Sequence, residues 1–182
     1  AKDVKIQIEF NPALVAEYRL IGYENRMLAR EDFDNDAVDA GDIGAGHTVT
    51  ALYEIALTGS DGVRLEPLRY SGNQDSQVAS SDASELCFLR LRYKLPQEDE
   101  SILLETPIEK DEILADTTQA SNSFRFAAAV AAFGQVLRDG KYTGEFAYDE
   151  ILDLARSARG DDPFGYRGEF LNMVNLAKSL SQ

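Results

Sequence analysis

The chain predicts an α+β fold, with an antiparallel, β-sandwich-like N-terminal part followed by a C-terminal three-helix layer. Three observations predict it. Apolar residues recur with a period of two in several runs before Pro107. After Ser121 the spacing lengthens to three and four. Strands and helices are segregated along the chain rather than alternating, which argues against repeated βαβ units. The switch falls near Ala115 to Gln119, so the expected organisation is a β-rich region over 1–117 and a helical region over 118–182, packed as one unit.

The first strand is expected over Val4–Phe10. Val4, Ile6, Ile8 and Phe10 share one face and Lys5, Gln7 and Glu9 the other, and Asn11-Pro12 breaks the run. A second strand is expected over Glu17–Tyr23. An acidic, glycine-bearing loop from Glu31 to Gly46 leads into a third over Thr48–Leu57, and Gly59-Ser60-Asp61-Gly62 closes it as a turn. Residues 70–85 are rich in Ser, Asn, Asp and Gln and have no periodicity, the composition of a long surface loop. Leu86–Leu95 is the clearest strand. Cys87, Leu89, Leu91, Tyr93 and Leu95 are expected to face inward, and Arg90, Arg92 and Lys94 outward. A further strand over Ile102–Ile108 is limited by Pro107.

Three helices follow. Ser121 or Ser123 can cap a helix running to about Arg138, with Phe126, Val130, Phe133 and Leu137 on its buried side and Gly140 as its stop. A second helix covers Ala147–Ala158 with Ile151, Leu152, Leu154 and Ala155 as its stripe, and Gly160 lies past its end. Asp162-Pro163 reads as an N-cap and first helical position for a third helix toward Leu180, which buries Phe170, Val174, Ala177 and Met173.

Charge narrows the function. The 182 residues hold 18 Lys plus Arg against 32 Asp plus Glu, a formal net charge of -14. Such a field repels phosphate backbones and anionic lipid, so nucleic-acid binding is excluded as a main role. No apolar run reaches the length of a membrane span; the longest, Phe126 to Phe133, reads as a helix face, and direct membrane insertion is not expected. A single cysteine forms neither an internal disulfide nor a zinc cluster. The abrupt opening of a strand after Ala1 suggests a piece of a longer protein.

No catalytic constellation emerges. The loop from Glu31 to Asp42 sets Asp32, Asp34 and Asp36 at the one-three-five spacing of a calcium loop, with Asp39 nearby. The match then fails: Ala37 stands where glycine makes the turn, and Ile43 where a bidentate carboxylate belongs. A solvated acidic loop is the plainer reading, with Ca²⁺ binding at Asp32, Asp34, Asp36 and Asp39 as the alternative. Gly44-Ala45-Gly46 lacks the third glycine of a dinucleotide cradle, where Val49 stands. Gly140-Lys141 lacks the rest of a P-loop, with Gln135 for glycine and Tyr142 for Ser or Thr. His47, the only histidine, has Asp42 and Asp39 near it in sequence but no partner nucleophile, and reads as a structural or surface residue at a strand entrance. Cys87 reads as an inert core thiol. Tyr18, Arg19, Tyr23 and Arg26 are interaction candidates, because tyrosine and arginine are common interface anchors. The competing reading has Arg19 and Arg26 pairing with the acidic loop.

Four stretches carry a resemblance: Phe10-Asn11-Pro12-Ala13, Tyr18–Arg26, Ala29–Phe33 and Asp39–Glu54. Together they resemble the uncharacterised C-terminal domain of bacterial von Willebrand factor type A (VWA) proteins. The resemblance implies an upstream VWA domain, protein or matrix contacts, and a parent in the cell envelope or periplasm of a bacterium. It carries over no catalytic residues. The VWA metal motif Asp-x-Ser-x-Ser is broken here, because Asp82-Ala83-Ser84-Glu85 is followed by Leu86. The expected role is therefore a non-enzymatic accessory domain. Its partners are its own VWA domain and other proteins, and no cofactor is expected apart from the calcium alternative.

Overall fold

The computed structural model describes residues 1–23, 28–35, 38, 40–66, 84–144 and 146–181. The chain forms two compact units, Ala1–Ile113 and Leu114–Gln182. The first is built of antiparallel strands and the second of three helices, as the periodicities predict.

In the first unit, β1 (Lys2–Phe10), β4 (Glu85–Lys94) and β5 (Ser101–Glu109) form one antiparallel sheet in the order β1-β4-β5. β2 (Val15–Ile21) and β3 (Leu52–Leu57) form a second, two-stranded sheet. Asn11 builds the corner between β1 and β2. Its side-chain oxygen accepts from Ala13 N–H, and its amide donates to Glu85 O. Register sorts the larger sheet into two faces. Ile6, Leu91 and Leu104 lie in one row, Ile8, Leu89 and Thr106 in the next, and Phe10, Cys87 and Ile108 in a third. The opposite face carries Lys5, Gln7, Arg90, Arg92, Lys94 and Glu105.

The two-stranded sheet covers the Phe10 end of the apolar face. The Phe10 ring lies 4.5 Å from Tyr18 and 5.6 Å from Tyr53 between centroids. Val15, Ala56, Leu86 and Cys87 are buried. A pair of strands alone is marginal in water, so packing against the larger sheet is what makes β2 and β3 persist.

Three strand expectations need correction. β3 begins at Leu52, not Thr48; Gly44–His47 instead forms a turn, with His47 N–H donating to Gly44 O. Leu95 lies beyond β4 and is exposed rather than inward. Lys5, expected on the face opposite the apolar residues, is buried at 2% exposure. Arg90, Arg92 and Lys94 do not face open water either, for reasons of pairing given below. Pro107 is tolerated inside β5 because β5 is an edge strand and needs no donor on its outer side. The expected loop over 70–85 lies outside the described residues up to residue 83.

In the second unit, α1 (Asn122–Val136) is capped by Ser121, whose Oγ accepts from Phe124 N–H at 3.1 Å. α2 (Tyr148–Ser157) and α3 (Tyr166–Leu180) complete it. Ala129, Phe133, Ile151, Leu152, Ala155, Phe170 and Val174 form the core. Phe170 meets Phe126 and Phe133 edge-on at 5.3 and 5.6 Å.

The helices depart from expectation in azimuth and at their ends. α1 buries Phe126, Ala129, Phe133 and Val136, while Val130 and Leu137 are 43% and 58% exposed. Met173 is exposed as well. α1 ends at Val136, and both Asp139 and Gly140 take positive φ before the chain turns away. α3 starts at Tyr166 behind Gly165, whose φ of 74° no L side chain adopts easily. Asp162-Pro163 is therefore not the helix start, although Asp162 still supplies the cap from further upstream.

Candidate functional site

The charged face of the larger sheet gathers a cluster of ionisable side chains. It is created by a bulge in β1 between Lys2 and Lys5. At this bulge Asp3 adopts φ 53°, a left-handed conformation that costs about 1–3 kcal/mol for a non-glycine residue. That twist turns the Asp3 carboxylate inward. It lies 2.9 Å from Lys94 Nζ and 3.5 Å from Lys5 Nζ. Burial pushes the Asp3 carboxyl upward in pKa, but the two ammonium groups outweigh it, so the net displacement is below the ordinary carboxylate value. Lys5 Nζ also donates to Asn35 O at 2.7 Å.

The acidic loop lies across this face. Asp3 N–H donates to the Asp42 carboxylate, Val4 N–H to Gly41 O and Ile43 N–H to Ala1 O. Phe33, 2% exposed, sits under the Arg90 guanidinium at 4.8 Å from ring centroid. Asp34 pairs with Arg92 at 3.2 Å and Arg90 at 3.6 Å. Arg90 further donates to Glu105 and Gln7. The alternating pattern alone would place these cations in solvent. The structure makes them the seat of the loop instead.

The loop keeps Glu31, Asp34 and Asp42 exposed, as a solvated acidic loop would, and is anchored through buried Phe33 and the Asp34 pairs. This arrangement also bears on the calcium candidates. Asp34 is engaged by two guanidinium groups, which neutralise the charge a hard cation needs. Asp32 ends the 3-10 turn Arg30–Asp32. Asp36 and Asp39 lie outside the described residues. Among the described residues, no three His, Cys, Asp or Glu side chains gather in a set that could hold a metal.

The interaction candidates are split. Tyr18 is 61% exposed with its ring against Phe10. Tyr23, at φ 61°, donates its hydroxyl to Thr50 O at 3.3 Å. Arg19 pairs with Glu54, and Glu54 in turn meets Arg64 at 2.8 Å. These are cross-strand partners, Arg19 standing opposite Glu54 in the ladder. Arg26 lies outside the described residues. His47 is exposed, its Nδ1 3.1 Å from where a Cβ on Gly44 would sit. Asp42, near it in sequence, accepts the Asp3 amide through one carboxylate oxygen. Cys87 is buried, and burial, with Glu85 and Glu112 nearby, raises its thiol pKa. That setting disfavours the thiolate.

The second unit holds a cluster around Asp162, the expected cap, and Arg167, whose part was not anticipated from the sequence. Arg167 donates to Ala158 O at 2.8 Å and to Arg159 O at 2.9 Å, so its charge sits against the carbonyl end of α2. Its guanidinium also lies 4.8 Å over the Phe126 ring. Asp162 accepts from Arg167 N–H at 3.0 Å and Gly168 N–H at 2.8 Å, satisfying two orphan amides of α3. One signal for this was present in the sequence: aspartate before a helix with arginine in its first turn.

With this geometry in view, comparison with known proteins fixes the relationship. Residues 1–180 match the family described as "Uncharacterized protein YfbK, C-terminal". The chain belongs to this family. It is similar to a protein of Escherichia coli (strain K12) named "Uncharacterized protein YfbK", 48% identical over 183 residues. That match covers 100% of this chain and 30% of the relative, so the chain spans about a third of the length of the relative it matches. No solved structure matches. The placement as a C-terminal domain related to a larger protein thus agrees with the resemblance seen in the sequence.

Proposed function

We propose that this chain is a non-enzymatic accessory domain of a larger bacterial protein. It packs on or orients an upstream VWA domain and presents an acidic surface to other proteins. One observation carries the reading: the charged clusters of the first unit are closed on one another. Asp3 is held by Lys5 and Lys94, Asp34 by Arg90 and Arg92, and Glu54 by Arg19 and Arg64. These carboxylates and cations are engaged in folding the loop and the strands. The relative's greater length supports a domain that works beside others. The net charge of -14 supports partners with basic surfaces and a salt-sensitive encounter. A location in the cell envelope belongs to the same proposal; no helix among the described residues is long and apolar enough to cross a membrane.

The test is isothermal titration of this chain with the upstream region of the full-length protein, purified separately. Saturable binding that weakens with added salt is expected. No heat of binding, together with unchanged melting of both pieces when mixed, overturns the proposal. The alternative is calcium binding at Asp32, Asp34, Asp36 and Asp39; it is the weaker reading, since Asp34 already pairs with Arg90 and Arg92. Saturating a native-state site a hundredfold would raise stability by about 2.7 kcal/mol. The expected result is a melting curve unmoved by millimolar calcium.

A further inference from the structure

Among the described residues of the first unit, the two-stranded sheet covers the Phe10 end of the larger sheet's apolar face. Tyr18 and Tyr53 sit on Phe10, and Cys87 in the middle of the third row is buried. At the other end, Ile6, Leu91 and Leu104 stand in register across all three strands, with Tyr93 and Ile102 beside them. Ile6 is 43% and Leu104 48% exposed. Scattered apolar side chains on a surface need no explanation, but a row across three paired strands is a prepared contact. It also abuts β5, whose outer edge pairs with no other described strand.

We infer that the Ile6–Leu91–Leu104 row is the surface on which the N-terminal remainder of the full-length protein docks. This rests on the accessory-domain reading and names the face it uses. Three observations select that face and its occupant. The family is a C-terminal one and the chain covers 30% of its relative, so most of the relative's length is available to cover the row. The row lies toward the end of the sheet where Lys2 stands opposite Lys94, away from the end that Tyr18 and Tyr53 cover. A second copy is disfavoured, because each brings a charge of -14.

Cysteine accessibility tests this directly. The native Cys87 is buried and labels slowly, so Leu104→Cys and Ile6→Cys each add one reactive thiol, with Asp61→Cys in the exposed Gly59–Gly62 turn as the control. Maleimide labelling is followed by mass spectrometry in this chain and in the full-length protein, after melting curves confirm folding. Using two positions guards against one variant failing to fold. The expected result is rapid labelling of both positions in this chain. In the full-length protein it slows by at least about tenfold, since labelling then waits for the interface to open. Asp61→Cys labels equally in both. Equal rates at Leu104→Cys and Ile6→Cys in the two proteins overturn the inference. If the upstream region still binds by calorimetry, only the choice of face has failed; if it does not, the accessory role fails too. Slow labelling in this chain that quickens on dilution means a second copy covers the row, and also overturns it.

Discussion

Lys5 and Lys2 stand three residues apart on β1 and have opposite fates. Lys5 Nζ is enclosed by Asp3 and Asn35 O, whereas Lys2 reaches the fully exposed Asp99 at 3.3 Å. Removing one member of a buried ion cluster leaves the others desolvated and unmatched, which costs far more than losing a surface pair. Lys5→Met should therefore destabilise by about 3 kcal/mol in urea unfolding, and Lys2→Met by no more than about 0.5. Equal costs would mean that the loop does not enclose Lys5. Asp162 gives a prediction in pH. Burial pushes its carboxyl upward, but the amides of Arg167 and Gly168, with Arg159, outweigh this and hold it below the ordinary 3.8. A lowered native value means that its stabilisation is complete above 3.8 and is lost as the pH falls through the native value. Asp162→Asn should lower the melting temperature at neutral pH, and the gap from the natural chain should close as the solution is acidified below that range. A gap that stays constant with pH would show that the carboxylate charge is irrelevant to the cap.

α1 shows where sequence patterning stops being decisive. Between Phe126 and Phe133 every residue is apolar, so no polar side fixes which direction faces the core. Steps of four and three through Val130 and Leu137 fit the spacing as well as steps of three and four through Ala129 and Val136. The deciding factor is close approach: Ala129, fully buried, lets α1 lie against α2 and leaves room for Phe170. Phe133→Ala should cost about 3–5 kcal/mol, while Val130→Ala and Leu137→Ala should each cost under about 1. A large loss at Val130 would restore the other azimuth. Strands were more legible, because period two leaves only two faces to choose between, and β1, β2, β4 and β5 fall close to their expected bounds. The assignment of Arg90, Arg92 and Lys94 to solvent failed for a different reason. Alternation distinguishes one face from the other but says nothing of a distant loop that covers the polar one. The pairing of Arg19 with Glu54 was hidden likewise, since it depends on β2–β3 register.

At the scale of the whole molecule, the division of the chain is itself a physical claim. Leu114–Gln182 holds a core of its own, in which Ile151, Leu152 and Val174 are nearly or wholly enclosed and Phe170 bridges α1 and α3. Its helix ends are served from within: Ser121 caps α1, Glu150 accepts from Ala147 N–H before α2, Asp162 caps α3, and Arg167 meets the last carbonyls of α2. Isolated helices of 10–15 residues are marginal in water, so their persistence rests on this shared interior. Domains near this size often fold alone, but with little stability to spare. A fragment spanning 114–182 should therefore be helical by circular dichroism and should melt cooperatively. Phe133→Ala within the fragment should abolish that transition, because its cost of about 3–5 kcal/mol is comparable with the whole stability of so small a core. A fragment that loses its ellipticity gradually, with no midpoint and no response to Phe133→Ala, would show that the three helices depend on the strand-built unit for their order.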